Sequence, residues 1–217
     1  MNEPGPRPGF GCIDLKAQLR QVLVPLDQTI SSLPVHGYLP KDNDRPRPAA
    51  VLVGITAGEP SVLLTLRSTR LARHAGQVAF PGGVRDAQDD SVVHTALREA
   101  HEEAGIDPGG VEPIGYLSRY DTITGYRMTA VVGLLAADVQ PAPDRVEVES
   151  VFSVPLSDVV DADAYQVDHI RFSGRRFEVL TLKHPEHRIW GATAALLFDL
   201  GHRLRDKAED FSRVSAE

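Results

Sequence analysis

Three glutamates, Glu99, Glu102 and Glu103, fall within five consecutive positions of the chain. Residues three and four positions apart on an α-helix share a face, so a helix here would bring the three carboxylates into one small volume. That concentration of negative charge is unfavourable unless a cation neutralises it. Hard divalent ions such as Mg²⁺ bind carboxylate oxygens and usually keep several waters. The run therefore predicts a helix that carries a Mg²⁺ or Mn²⁺ site.

The flanking residues favour this interpretation over the alternative of a solvated surface helix. Asp89, Asp90 or Ser91 can serve as the helix N-cap, and Gly105 supplies a C-terminal stop. Apolar residues repeat at helical spacing on a different face, at Val93, Ala96, Leu97, Ala100 and Ala104. No Lys or Arg lies four residues after any of the three glutamates, so ion pairing along the helix is not expected. One face should pack while the acidic face stays open.

Chain length and charge limit the classes of function. A chain of 217 residues with 42% apolar and 24% charged residues is typical of one soluble globular domain. Its formal net charge of −7 argues against a broad surface for nucleic acid or acidic membranes, because phosphate backbones are bound by basic patches. A small phosphorylated ligand held by a few arginines is compatible with that charge. We therefore expect a small-molecule substrate and neither a nucleic-acid nor a membrane partner.

The cysteine content and the N-terminal composition bear on the compartment. The single Cys12 excludes an intramolecular disulfide. No apolar run approaches the ~20 residues that a membrane-spanning helix needs. The N-terminus carries Pro4, Pro6 and Pro8 among small and polar residues and has no apolar core of a secretory signal. These features predict a cytoplasmic protein.

The pattern of apolar and turn residues predicts an α+β fold. We interpret residues 1–48 as a leader and linker with a short helix near 15–24, residues 49–205 as the domain and residues 206–217 as a frayed polar tail. Strands are predicted at 49–56, 61–67, 77–80, 111–118, 126–135 and 146–154, with a hairpin at 170–172 and 176–182. A final helix is predicted over 189–204. The expected result is a mixed sheet with one helix in mid-chain and one near the end.

The segment from Gly83 to Ile106 resembles the Nudix box, the pattern Gly-x5-Glu-x7-Arg-Glu-U-x-Glu-Glu-x-Gly-U in which U is aliphatic. The residues from Arg98 to Ile106 fit the second half position by position, with Ala100 as a small aliphatic residue. Counting back from Arg98 places Asp90 at the first acidic position, and Gly83 then lies one residue further away than the pattern allows. The resemblance implies the Nudix α/β/α sandwich, with a mixed β-sheet and the metal-binding helix in mid-chain.

Further segments resemble the coenzyme A pyrophosphatase branch of this family. They are LLTLRS at 63–68 and GQVAFPGG at 76–83, within a similarity that extends over residues 49–203. One residue departs, because the branch usually has an Arg where this chain has Ala72. The resemblance implies hydrolysis of the diphosphate bond of coenzyme A or its derivatives to 3′,5′-ADP and 4′-phosphopantetheine or acyl-phosphopantetheine. The alternatives are a Nudix hydrolase for another nucleoside diphosphate derivative such as ADP-ribose, and a non-catalytic nucleotide-binding module.

The same resemblance implies roles for the acidic run. Glu99 and Glu103 are expected to bind Mg²⁺ or Mn²⁺ directly, with Glu102 as a third ligand, direct or through water. Any of the three, or a carboxylate from a later loop, could act as general base. Arg98 is expected between these carboxylates and Asp90, where it would hold the glycine loop against the helix.

Substrate contacts are expected around this metal site. Gly82 and Gly83 are predicted to allow close backbone approach where the loop enters the site. The basic residues that precede the loop suit phosphate oxygens, and they are Arg67, Arg70, Arg73 and His74. Glu147 and Glu149 are candidates for a supplementary base or ligand on one face of a strand. Family members often pair, so a homodimer is a further expectation.

Overall fold

The computed structural model of the protein describes residues 15–38, 45–56 and 58–214, and of residues 207–214 only the backbone. The leader predicted for residues 1–13, with Cys12, lies outside the described residues. So does the stretch 39–44 of the predicted linker. The predicted helix near 15–24 is present and spans Leu15–Val22.

Four α-helices and eleven β-strands are present among the described residues. The helices are α1 (Leu15–Val22), α2 (Val92–Ala104), α3 (Leu156–Val160) and α4 (Ala192–Val214). The strands are β1 (Val35–Gly37), β2 (Arg47–Thr56), β3 (Ser61–Arg67), β4 (Val78–Ala79), β5 (Gly82–Val84), β6 (Val111–Asp121), β7 (Tyr126–Leu135), β8 (Val148–Pro155), β9 (Tyr165–Phe172), β10 (Arg175–Leu182) and β11 (Ile189–Trp190). No helix in this described part of the chain is long and apolar enough to cross a membrane.

The larger sheet is mixed, and its strand order is β1–β6–β7–β2–β3–β4, with β5 paired to β2 and β8 paired to β3. Strand β2 runs parallel to β7 along its whole length and antiparallel to β3 and β5. A second sheet has the order β11–β10–β9 and is antiparallel. Strands β9 and β10 turn at Ser173 and Gly174, as the sequence predicts.

Helices cover both faces of the larger sheet. Alternate residues of β2 divide between two cores, because successive side chains of a strand point to opposite faces. Leu52 packs with Ala100 and Ala104 of α2. Val53 lies in the other core, which contains Leu197 of α4 and residues of α1 and α3. The predicted α+β fold, an α/β/α sandwich with the acidic helix in mid-chain, is therefore confirmed.

Local signals fix the ends of α2. Ser91 is the N-cap, since its Oγ accepts a hydrogen bond from the backbone N–H of His94 at 3.0 Å. Gly105 ends the helix in the left-handed conformation, with φ 65°. A Cβ at Gly105 would lie 2.4 Å from the carbonyl oxygen of Ala142. Glycine is therefore required both for the backbone conformation and for the close approach of the segment that follows β7.

The C-terminal helix differs from the prediction at both ends. Ile189 and Trp190 form a strand that pairs with β10, and Gly191, with φ 64°, turns the chain before the helix begins. At its other end α4 continues to Val214, so the helix runs through most of the segment predicted as a frayed tail. Residues 205–214 contain neither Pro nor Gly, and Lys207 and Glu209 are good helix formers, so nothing in the sequence stops the helix at 204.

Candidate active site

The glycine strand β5 lies beneath α2 and fixes one wall of the site. Gly82 and Gly83 pair with Val51 and Ala50 of β2. A Cβ on Gly83 would lie 2.3 Å from Oε2 of Glu99, and a Cβ on Gly82 would lie 2.4 Å from the carbonyl oxygen of Ala50. A side chain at Gly83 would displace the Glu99 carboxylate, and one at Gly82 would collide with the backbone of β2. The two glycines therefore allow the acidic face of α2 to pack directly against the backbone of β5.

Glu103 lies in the last turn of α2, with 5% of its surface exposed. Its Oε1 accepts a hydrogen bond from Nη1 of Arg67 at 2.7 Å, and its Oε2 accepts one from the backbone N–H of Gly82 at 3.1 Å. Burial raises the pKa of the Glu103 carboxyl group, and the Arg67 charge and the Gly82 hydrogen bond lower it by less. The negative charge of Glu147 also raises this pKa.

Glu99 lies one helical turn before Glu103 and against Gly83. Its Oε1 is 2.8 Å from Nη1 of Arg98. Burial is the largest cause that raises the pKa of Glu99, the Arg98 contact lowers it, and the charges of Glu103 and Glu102 raise it further. The Glu99 carboxylate thus lies against Gly83, and the Glu103 carboxylate is bonded to Gly82, the preceding residue of the same strand.

Glu102 lies on the exposed side of the same helix. Its side chain is 57% exposed, and its Oε2 is 3.0 Å from Nη1 of Arg98, four residues earlier. The expectation that ion pairing along the helix has no part is therefore wrong, because the arginine precedes its acid rather than following it. No group of three or more His, Cys, Asp or Glu side chains in the described ranges is arranged as a ready metal site. The structure brings together two of the three expected ligands, Glu99 and Glu103.

The Glu99–Glu103 pair fits a hard divalent ion by its chemistry. Both residues present carboxylate oxygens, the ligands that Mg²⁺ and Mn²⁺ prefer. Both carboxyl groups have raised pKa values because burial and neighbouring negative charges disfavour their ionised forms. A bound dication would supply the missing positive charge and reverse that effect.

Arg98 pairs with Asp89 and not with Asp90, so the sequence prediction for this contact is wrong. Nε of Arg98 lies 2.9 Å from Oδ1 of Asp89, and Nη2 lies 3.0 Å from Oδ2. The same Nη2 donates to the carbonyl oxygen of Val84 at 3.3 Å, so Arg98 does hold the glycine strand to the helix. The Arg98 hydrogen bond holds the pKa of the Asp89 carboxyl well below its usual range, although burial opposes the shift.

The wrong prediction for Asp90 has a physical cause in the loop between β5 and α2. Asp89 is 4% exposed and accepts a hydrogen bond from the backbone N–H of Asp86 at 2.8 Å, which turns the carboxylate inward. Asp90 directly precedes the N-cap Ser91 and is exposed. With Asp89 as the acid, the spacing from Gly83 equals that of the box, and the extra residue lies between the acid and the helix. Counting back along the helix cannot detect an insertion at that point.

The basic segment that precedes the glycine strand divides into two parts. Arg67, at the end of β3, is turned inward to Glu103, and its side chain is 20% exposed. Arg70 and Arg73 are exposed on the loop that follows, as is Ala72. His74, also exposed, has Nδ1 2.9 Å from Oε1 of Gln77 and a positive φ of 56°. Of the four predicted phosphate contacts, Arg67 is the one that reaches the carboxylate pair.

The turn at residues 144–147 closes another side of the site. The backbone N–H groups of Ala142 and Asp144 donate to the carbonyl oxygens of Ala104 and Glu103, at 2.8 Å and 3.0 Å. On its other side, the carbonyl oxygen of Glu147 accepts a hydrogen bond from the backbone N–H of Ser68 at 2.8 Å. The turn is therefore attached both to α2 and to the basic segment.

Glu147 and Glu149 do not share a strand face, contrary to the prediction. Glu147 lies in the turn, because β8 begins at Val148. Oδ1 of Asp144 accepts a hydrogen bond from the backbone N–H of Val146 at 2.9 Å. An Asp at this position favours a turn, and it is the sequence signal that contradicts a strand beginning at residue 146. Glu149 lies in β8, and its carbonyl oxygen accepts from Arg145. The turn that carries Glu147 is bonded to the backbone of Glu103, and the charge of Glu147 raises the pKa of Glu103.

Comparison with known proteins places this site in a family. A NUDIX domain profile matches residues 45–173, more than half of the chain. The chain is 41% identical over 162 residues to "Uncharacterized Nudix hydrolase NudL" of Pectobacterium atrosepticum, covering 74% of this chain and 84% of that protein. A protein of the same name from Escherichia coli is 42% identical over 155 residues, covering 71% and 81%. Among solved structures, the Nudix hydrolase RenU of M. smegmatis matches 53% of this chain and 74% of its own, at 26% identity and a TM-score of 0.45.

Proposed function

The chain belongs to the Nudix hydrolases, and on that premise we propose that it hydrolyses the diphosphate bond of coenzyme A or its derivatives. The products are 3′,5′-ADP and 4′-phosphopantetheine, or acyl-phosphopantetheine where the substrate carries an acyl group. The proposed cofactor is Mg²⁺ or Mn²⁺. The protein itself supplies carboxylates to hold the ion, arginines to bind phosphate and a base for the attacking water.

One contact pattern supports the coenzyme A branch. The two segments that resemble this branch, 63–68 and 76–83, meet at a single carboxylate. Arg67 from the first segment and the backbone N–H of Gly82 from the second both donate to Glu103. The residues that resemble this branch of the family therefore line the proposed metal site instead of lying on a remote surface. A substrate diphosphate bound there would contact both segments.

Glu99 and Glu103 are the residues that would hold the ion, with Glu102 joined to it through a water. When bound, the ion neutralises the diphosphate oxygens and lowers the pKa of a bound water. Arg98 keeps Asp89 and the carbonyl of Val84 in place, so the glycine strand stays beneath the two carboxylates.

Glu147 is the proposed general base. It lies in the turn next to Glu103 and is exposed, so its carboxylate is open to water. The carboxylate takes a proton from the attacking water as the water oxygen bonds to phosphorus. The bond between that phosphorus and the bridging oxygen breaks, and the bridging oxygen leaves with the electron pair on the second phosphate.

Arg70 and Arg73 are the proposed contacts for the 3′-phosphate of the substrate. Both lie exposed on the loop that follows Arg67, with His74 beside them. The planar guanidinium group suits phosphate oxygens because it donates two parallel hydrogen bonds. Ala72 stands between the two arginines, so either guanidinium can take the place of the Arg that the branch usually has there.

A substrate panel tests the proposal. The purified protein is incubated with coenzyme A, an acyl-coenzyme A, ADP-ribose and a dinucleoside polyphosphate, with Mg²⁺ or Mn²⁺, and the products are identified by mass. We expect 3′,5′-ADP from coenzyme A and its acyl derivative. A protein that leaves coenzyme A intact and cleaves ADP-ribose would contradict the substrate assignment and leave the family assignment in place.

A single variant tests catalysis against simple nucleotide binding. E103Q keeps the size of the side chain and removes the charge that would bind the ion. We expect turnover to fall by orders of magnitude while circular dichroism shows a folded protein. Unchanged function in E103Q would support a non-catalytic module instead.

A further inference from the structure

We infer that Arg67 is a resident counter-cation of the Glu99–Glu103 pair, which a divalent ion must displace from Glu103 before it can bind there fully. The inference rests on the metal dependence in the proposed function, and it adds an order of events. Metal affinity stays low while the guanidinium occupies Glu103. It rises when a diphosphate offers the guanidinium another anion.

The geometry of Glu103 is the first support. Both of its oxygens already accept a hydrogen bond, Oε1 from Arg67 at 2.7 Å and Oε2 from Gly82 at 3.1 Å. The side chains of Arg67 and Glu103 are 20% and 6% exposed, so water screens the pair weakly. An ion bound to Oε1 would share that oxygen with Arg67 or replace Arg67, and an ion bound to Oε2 would still lie on the same carboxylate as the guanidinium, so the two cations repel each other in either case.

The distribution of charge is the second support. In the part of the chain that the structure describes, the salt bridge of Glu103 is to Arg67. The other arginine at the site, Arg98, is engaged by Asp89, Glu99 and Glu102. Arg67 therefore supplies the positive charge that Glu103 would otherwise take from an ion. Removing that charge makes the acidic pocket more attractive to a dication.

The way in which Arg67 is held is the third support. Its Nε is buried and has no hydrogen-bond partner among the residues that the structure describes. Arg98 and Arg127, in contrast, hold their carboxylates at two points, through Nε and Nη2. A two-point pair is rigid, whereas the contact of Arg67 with Glu103 runs through Nη1. That Nη1 donor can pass to a diphosphate oxygen when the ion takes Glu103.

Mn²⁺ alone, added to the metal-free protein, tests the inference without any turnover. Free Mn²⁺ is measured by electron paramagnetic resonance at one fixed pH of about 8, well above the ordinary pKa of a glutamate. We expect R67M to bind Mn²⁺ about tenfold more tightly than the unaltered protein, because a like charge next to the ion is gone. R67K keeps a positive charge and should stay close to the unaltered protein.

R127M is the matched control. Arg127 pairs with Asp121 at 2.7 Å, the distance of the Arg67–Glu103 pair, and Asp121 is similarly buried, at 7% exposed against 5% for Glu103. The substitution removes the same charge and also leaves a buried carboxylate without its partner. Its Mn²⁺ affinity should match that of the unaltered protein. Equal or weaker Mn²⁺ binding in R67M than in R127M would overturn the inference and leave Arg67 as a support for Glu103.

A measurement on the unaltered protein covers the case in which R67M does not fold. Because Nε of Arg67 is buried, we expect its N–H to exchange slowly and to give an NMR signal, which is identified by its absence from R67K. Mg²⁺ should move this signal as the guanidinium leaves Glu103. A signal that Mg²⁺ leaves in place overturns displacement. If coenzyme A stays intact while R67M still binds Mn²⁺ more tightly, the substrate proposal is wrong and the inference about Arg67 stands.

Discussion

Arg98 holds Asp89 at two points, with Nε 2.9 Å from Oδ1 and Nη2 3.0 Å from Oδ2, across the loop that joins the glycine strand to α2. Asp89 is buried, whereas Asp90, the next residue, is exposed. This pair, together with the hydrogen bond from Arg98 to the carbonyl oxygen of Val84, fixes the distance between α2 and the glycine strand β5. The position of Glu99 and Glu103 therefore depends on Asp89, an acid in the loop outside the helix.

The first prediction compares D89N with D90N. Removing one partner of a buried ion pair leaves the other charge uncompensated, so D89N should lower the free energy of unfolding by about 3–5 kcal/mol. D90N changes an exposed carboxylate and should stay within about 0.5 kcal/mol of the unaltered protein. Urea unfolding of the two variants measures both effects. Equal losses would mean that Arg98 does not distinguish the two acids.

The second prediction concerns acid stability. The pKa of Asp89 is lowered in the folded protein, so its contribution is present above the unfolded value of ~3.9 and is lost as the pH falls toward the folded value. The gap in unfolding free energy between the unaltered protein and D89N should be constant near neutrality and narrow below about pH 4. Unfolding curves taken from neutral to strongly acidic pH test this. A gap that persists unchanged in acid contradicts it.

The third prediction is that E99Q stabilises the metal-free protein. The folded-state pKa of Glu99 is raised, so the folded protein favours the protonated form and its ionisation costs stability at neutral pH. A neutral amide removes that cost, and a gain of about 1 kcal/mol would raise Tm by about 2–4 °C. Calorimetry without metal tests the gain, with E102Q as the exposed control. A lower Tm in E99Q would show that its bond to Arg98 outweighs burial.

The fourth prediction uses a glycine to move a carboxylate. A Cβ in G83A would lie 2.3 Å from Oε2 of Glu99, and the far end of that side chain can give way while the fold persists. Displacing a ligand by about 1 Å can reduce turnover by about 100-fold, so activity should fall far more than stability. G58A is the control, because a Cβ at Gly58 meets nothing within 4 Å. Full activity in G83A would mean that Glu99 is not held by this contact.

The fifth prediction separates the two later glutamates. Glu147 lies in the turn beside Glu103, and Glu149 lies in β8. If Glu147 takes the proton, E147Q should reduce kcat by about 10²–10⁴-fold, the usual contribution of a general base. E149Q should turn over at nearly the unaltered rate. The reverse order of effects would reassign the base.

The sequence predicts those parts of the fold whose ends carry their own signals. Strands β3 and β7 have the predicted bounds, because Pro60 stands before one and Gly125 before the other. The acidic helix was predictable because caps and an apolar stripe agree. The wrong predictions for the site concern tertiary placement. Asp89 replaces Asp90 through an inserted loop residue, and Glu147 leaves the strand because a turn is bonded to α2.

The burial of the site carboxylates could not be predicted from spacing. Periodicity places Glu99, Glu102 and Glu103 on adjacent positions of one helix but does not say how deep each lies. Depth depends on the glycine strand, which admits two carboxylates and leaves Glu102 outside. Arg67 is 36 residues from Glu103 along the chain, and their pairing follows from the sheet that carries β3 past the end of α2.

The last carbonyl groups of α2, which a helix cannot satisfy internally, are taken by Ala142 and Asp144. The segment ahead of Glu147 is thus fastened to the helix through main-chain hydrogen bonds. A one-residue insertion at the exposed residues 136–138, which follow β7, could be absorbed at the surface, whereas one between Asp144 and Glu147 would shift the Glu147 carboxylate out of register with α2.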